Sequence, residues 1–175
     1  MKKDPPLYIG HADYLRVLLG DPKGFPTVLR ELVKVLRPLR DDPAIAFDSI
    51  VVTGLSGTLL ALPLAARLHT HVAIVRKATT AHSDLVVEGT LGHRWILVDD
   101  LVASGTTVRY CRRAIAAQIF AEGGRTLPTF VGVYCYFSQK WREADRPAHR
   151  IEHAVWYDPD LPKSIREFDP WKGSM

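Results

Sequence analysis

Residues 94–100, RWILVDD, constrain the fold more than any other stretch of this chain. The run from Trp95 to Val98 is apolar without alternation, so it reads as a strand buried on both faces rather than one with a wet side. It ends in two adjacent carboxylates, Asp99 and Asp100, which repel each other. A strand end with no use for them would rarely carry both.

The neighbouring segments supply the rest of an α/β pattern. Residues 11–20 and 25–38 read as helices. In the second, Val28, Leu29, Leu32, Val33 and Leu36 recur at helical spacing and Pro38 is expected to end the run. SIVVTG (49–54) is a β-branched strand, SGTLLALPLAARLH (56–69) a helix with Pro63 inside it, and HVAIVR (71–76) a second strand. After RWILVDD, Thr106 or Thr107 can cap a helix whose stripe is Val108, Cys111, Ile115 and Ile119 and which ends near Gly123. TFVGVYCYF (129–137) is a further strand. Alternation of this kind predicts an α/β fold, a largely parallel sheet flanked by helices, with ligands beyond the carboxyl ends of the strands. Asp99, Asp100 and the segment TGLSGT lie there.

The loop after the acids has the chemistry of a small phosphate cradle. Ser104, Gly105, Thr106 and Thr107 fall at a strand-to-helix turn, where unpaired N–H groups and the helix dipole favour an anion. There is no P-loop lysine and no dinucleotide glycine pattern. Two carboxylates beside a phosphate cradle suit a ligand with a phosphate and vicinal hydroxyls, as in a ribose 5-phosphate. They can hold the hydroxyls directly or through magnesium and its waters.

ILVDDLVASGTTV (96–108) resembles the phosphoribosyl-pyrophosphate signature of the type I phosphoribosyltransferases. VVTGLSGTLLALPLA resembles that family's pyrophosphate loop, although GLSG by itself is also an ordinary strand-to-helix turn. VRKATTAHSD resembles the start of the catalytic lid of the orotate enzymes, with Arg76, Lys77 and His82 in place and Thr80 where they carry a lysine. Ala103 stands where the hypoxanthine-guanine branch has an acid; the adenine and orotate branches do without it.

The resemblance implies transfer of ribose 5-phosphate from phosphoribosyl pyrophosphate to a nucleobase, with Mg2+ as cofactor and pyrophosphate as leaving group. On it, Asp99 and Asp100 hold the ribose hydroxyls and the metal, and Ala103, Ser104, Gly105, Thr106 and Thr107 hold the 5-phosphate. Leu55, Ser56, Gly57, Thr58, Arg76 and Lys77 meet the diphosphate, and His82 rides a lid over 77 to about 88. Catalysis rests on Asp99, Asp100 and His82. The base would lie in a small hood made from about 1–40 and 138–175 around a core of about 45–137, all one domain. The tail LPKSIREFDPW is faintly similar to the end of bacterial xanthine-guanine enzymes, which makes Lys140, Trp156 and Tyr157 base-binding candidates; the two aromatics also read as tail packing. The family implies a homodimer. It also leaves a second class open: a regulatory protein of the same fold that binds phosphoribosyl pyrophosphate or nucleotides with little catalysis.

Two other motifs carry competing readings. HRIEH (149–153) matches a zinc-peptidase pattern that needs a helix, whereas Pro147 and the following AVWY point to a strand. GLSGT approaches a nucleophile elbow at Ser56, but Thr58 replaces its second glycine. With a formal charge of +4, the 175-residue chain is only mildly basic, which suits a polyanionic small molecule or weak nucleic-acid contact and proves neither; given the resemblance, nucleic acid is not the expected partner. Cys111 and Cys135 read as two reduced core thiols. The start MKKDPPLYIG has no apolar signal segment and no run reaches membrane-spanning length, so no membrane partner and a cytoplasmic location are expected.

Overall fold

The computed structural model describes residues 18–20, 22–77, 85–100 and 106–136, together with the backbone of 154–157. Its elements in chain order are α1 (Gly24–Asp41), β1 (Ser49–Thr53), α2 (Gly54–Leu68), β2 (His71–Val75), β3 (Val87–Gly89), β4 (Arg94–Asp99), α3 (Thr106–Ala121), β5 (Thr129–Cys135) and β6 (Ala154–Tyr157). The strands form one sheet in the order β3-β2-β1-β4-β5-β6. The four central strands are parallel, and β3 and β6 run antiparallel at the edges. The expected α/β architecture, a largely parallel sheet flanked by helices, is therefore the one found.

Burial follows from this topology. Every residue of β1 is buried, and in β4 all but Arg94. Ile50, Val52, Ile96 and Val98 face one core with Leu29, Leu32 and Leu36 of α1 and Leu60, Leu64 and Leu68 of α2. Val51, Val75, Trp95 and Leu97 face the other, with Cys111 and Ile115 of α3. The period-two pleat sends alternate residues to opposite helix layers, so a two-sided strand has no polar position to spare. Both cysteines are buried and free, as expected.

Pro38 does not end its helix. α1 runs through it to Asp41, although the ring removes the N–H that would bond Lys34. A tertiary clamp explains the continuation: Arg37 Nη2 donates to the carbonyl of Arg67 at 3.0 Å, and Arg40 Nη1 donates to that of Leu68. These are the last carbonyls of α2, left without partners by that helix's end. Pro63 is likewise carried inside α2. Residues 24–41 share the core of the sheet, and β6 extends its edge beside β5.

The expected helix over 11–20 lies outside the described residues apart from its end, where Leu18 is buried and helical. HRIEH also lies outside them; AVWY is the strand β6.

Candidate functional site at the carboxyl edge of the sheet

β1 and β4 are neighbours, but the chain leaves them towards opposite faces. α2 follows β1 onto one core and α3 follows β4 onto the other. The strand order reverses between them, and the crevice at such a switch point is where open α/β sheets bind ligands.

On the β1 side, Gly54 turns the chain at φ +68 and α2 begins at once. Gly57 lets that helix lie close on the sheet: a Cβ there would stand 3.0 Å from Val52 Cβ and 3.4 Å from the Val98 carbonyl oxygen. This brings Ser56 to the β4 end, where its hydroxyl donates to Asp100 Oδ1 at 3.2 Å. Thr58 instead donates to the Gly54 carbonyl at 2.7 Å, and Leu55 is exposed. Neither α2 nor α3 has an acidic residue in its first turn, so neither positive helix end is offset by a side chain of its own first turn.

Asp99 is only 4% exposed, and its Oδ1 accepts the Asp100 N–H at 3.0 Å. Burial pushes its carboxyl from 3.8 up to about 7. The hydrogen bond and charge of the Asp100 side chain act in the same direction, while the Asp100 N–H and the Lys77 charge oppose them. Asp100 is half-buried, so it is the carboxylate that presents itself to a ligand. The Cys111 thiol, beneath the pair, is pushed up to about 12 by burial and by the Asp99 charge, and is inert at neutral pH.

Lys77 completes the cluster, its Nζ standing 3.6 Å from where a Cβ on Gly54 would lie. Arg76 takes a different direction, with its Nη1 3.2 Å from Glu88 Oε1 on β3. Of the expected site residues, then, the fold gathers Ser56, Gly57, Lys77, Asp99 and Asp100, and ties the Arg76 side chain to a strand instead. Thr106 and Thr107 open α3 as its first helical residues rather than standing ahead of it as caps. Val87 and Glu88, placed in the lid by the sequence reading, belong to β3.

His82, Ala103, Ser104, Gly105 and Lys140 lie outside the described residues, and Trp156 and Tyr157 are described in backbone only. The sequence reading overlooked Arg109, whose Nη2 donates to Thr106 Oγ1 at 3.2 Å. An arginine in a helix's first turn opposes the dipole, and that was the available signal. It also overlooked Tyr110, whose bond to Arg76 spans 34 residues and has no local signature.

Fold and site together define an α/β protein with an acidic pair and two helix N-termini at the switch point of a parallel sheet. No protein-family model and no curated protein matches the chain. Among solved structures it is similar to the UMP synthase of Leishmania donovani, with 22% identity and a TM-score of 0.48 over 68% of this chain and 23% of that one. It is also similar to the orotate phosphoribosyltransferase of Aeropyrum pernix, with 23% identity and a TM-score of 0.48 over 70% of this chain and 63% of that one. The adenine phosphoribosyltransferase of Thermoanaerobacter pseudethanolicus gives 25% identity and a TM-score of 0.41 over 65% and 68%. The chain thus spans less than two thirds of the first two structures' length.

Proposed function

We propose that this protein is a magnesium-dependent phosphoribosyltransferase that moves ribose 5-phosphate from phosphoribosyl pyrophosphate to a nucleobase, orotate or a purine. The observation that carries this reading is the Ser56–Asp100 hydrogen bond, which joins the two loops of the switch point beside Asp99. On this reading each part of the donor is matched to its own group of residues. Residues 103–107 take the 5-phosphate, Asp100 with Asp99 behind it takes the ribose hydroxyls, and the first turn of α2 with Lys77 takes the diphosphate.

In the reaction the bond from the anomeric carbon to the diphosphate oxygen breaks, and its electron pair leaves on pyrophosphate. A base nitrogen forms the new bond to that carbon and gives up its proton. The chain's work is to hold the sugar phosphate, neutralise the leaving group and keep water from the cationic carbon. His82 serves the last task on the lid. Adjacent carboxylates offer the hard oxygen donors that magnesium takes, so Asp99 and Asp100 are the residues that would hold it. When bound, magnesium would supply positive charge to the diphosphate.

The same reading makes the protein a cytoplasmic homodimer of one domain, with the base in a hood where Lys140, Trp156 and Tyr157 are candidates. Among the described residues no helix is long and apolar enough to cross a membrane.

The test is a panel of bases offered with magnesium and phosphoribosyl pyrophosphate. One base should release pyrophosphate and yield its nucleotide. Tight binding of the sugar diphosphate with no turnover on any base would replace the transferase by a regulatory binder of the same fold.

A further inference from the structure

The end of β2 is a joint held from three sides. Thr53 Oγ1, on β1, donates to the Val75 carbonyl at 2.7 Å. The Arg76 N–H donates to the Val86 carbonyl, just before β3, at 2.9 Å. The third bond comes from the other helix layer, where the Tyr110 hydroxyl on α3 donates to the Arg76 carbonyl at 2.5 Å.

That carbonyl belongs to the peptide unit that begins Lys77. Because a peptide is planar, fixing its oxygen fixes the direction in which Lys77 leaves the strand. The Tyr110 ring is 37% exposed, so burial alone does not account for its placement, and its hydroxyl could bond water instead. With the Arg76 guanidinium beside Glu88, Lys77 is the cation that stands against Gly54 and acts on Asp99.

We propose that Tyr110 is a positioning residue, whose hydroxyl holds the Arg76–Lys77 peptide so that the Lys77 ammonium meets a diphosphate on the first turn of α2. This rests on the transferase reading above and adds to it a residue that touches no substrate. It also joins the helix that follows the sugar-phosphate loop to the strand end that serves the leaving group.

Tyr110→Phe removes the hydroxyl and keeps the ring. The whole chain is titrated calorimetrically with inorganic pyrophosphate and, separately, with ribose 5-phosphate, both with magnesium. Pyrophosphate should bind about 3- to 10-fold more weakly, the scale of one lost hydrogen bond, while ribose 5-phosphate affinity and the thermal midpoint hold. In a Lys77→Ala background the tyrosine effect should vanish.

Unchanged pyrophosphate affinity, equal weakening of both ligands, or a full further loss without Lys77 would each overturn the role of Tyr110 and leave the transferase reading standing. A wild-type chain that binds neither ligand overturns both.

Discussion

Burying the Asp99 carboxyl at 4% exposure costs stability that a neutral side chain of the same shape would not. The folded state keeps its proton up to about pH 7 where an ordinary aspartate loses it near 3.8. This group therefore favours folding most below pH 4, and the benefit drains away as pH rises to 7. Asp99→Asn keeps the oxygen that accepts the Asp100 N–H and never ionises. It should match wild type near pH 4 and exceed it at pH 7.5 by on the order of 1–4 kcal/mol, read by urea unfolding at both values. The same change combined with Asp100→Asn should abolish calorimetric binding of phosphoribosyl pyrophosphate. Undiminished binding in that double variant would remove the ribose assignment.

At the scale of elements, α2 has to do two things. It covers one face of the sheet with Leu60, Leu64 and Leu68, and it brings its first turn close enough for Ser56 to reach Asp100. Gly57 reconciles them, since any Cβ there meets Val52 and the Val98 carbonyl. Gly57→Val should destabilise the fold by about 1–3 kcal/mol through overpacking against Val52 and the Val98 carbonyl. The lifted helix should also weaken pyrophosphate binding. Unfolding in urea and calorimetry read the two effects, and a variant as stable as wild type would show that the helix has room. The far end of α2 is secured by α1, through Arg37 and Arg40, and this contact carries α1 past Pro38.

Across the whole molecule the amino ends of the central strands are built differently from their carboxyl ends. The amino edge is a structural knot around Asp48, whose carboxylate accepts the Ser49 hydroxyl at 2.6 Å and the N–H groups of His93 at 2.7 Å and Arg94 at 3.2 Å. Its own backbone joins Arg94 on β4 and His71 on β2. Burial works to raise this carboxyl, but these hydrogen bonds and the His93 charge hold it below its ordinary value. Its stability is thus present at neutral pH and lost as acid protonates it. Asp48→Asn should cost about 1–3 kcal/mol at pH 7, because an amide turns a donor toward donors. The gap from wild type should narrow in thermal melts below pH 4, with no change in affinity for phosphoribosyl pyrophosphate at pH 7.

Much of this plan was legible in the chain itself. RWILVDD required a strand covered on both faces, the period of Cys111, Ile115 and Ile119 required a helix over it, and the acids marked where the strand ends. These are local properties, set by side-chain polarity and backbone period, and they survive without knowledge of neighbours. Other features depended on residues far apart in sequence. Pro38 does not stop α1 because carbonyls some 30 positions away accept its arginines. Arg76 turns to Glu88, Tyr110 reaches the Arg76 carbonyl, and β1 lies beside β4 so that Ser56 and Asp100 meet. The sequence by itself determined which residues could form strands, helices and an acidic turn. Only the tertiary structure decided which of those turns share a crevice, because that depends on strand order, and strand order is a property of how the layers pack.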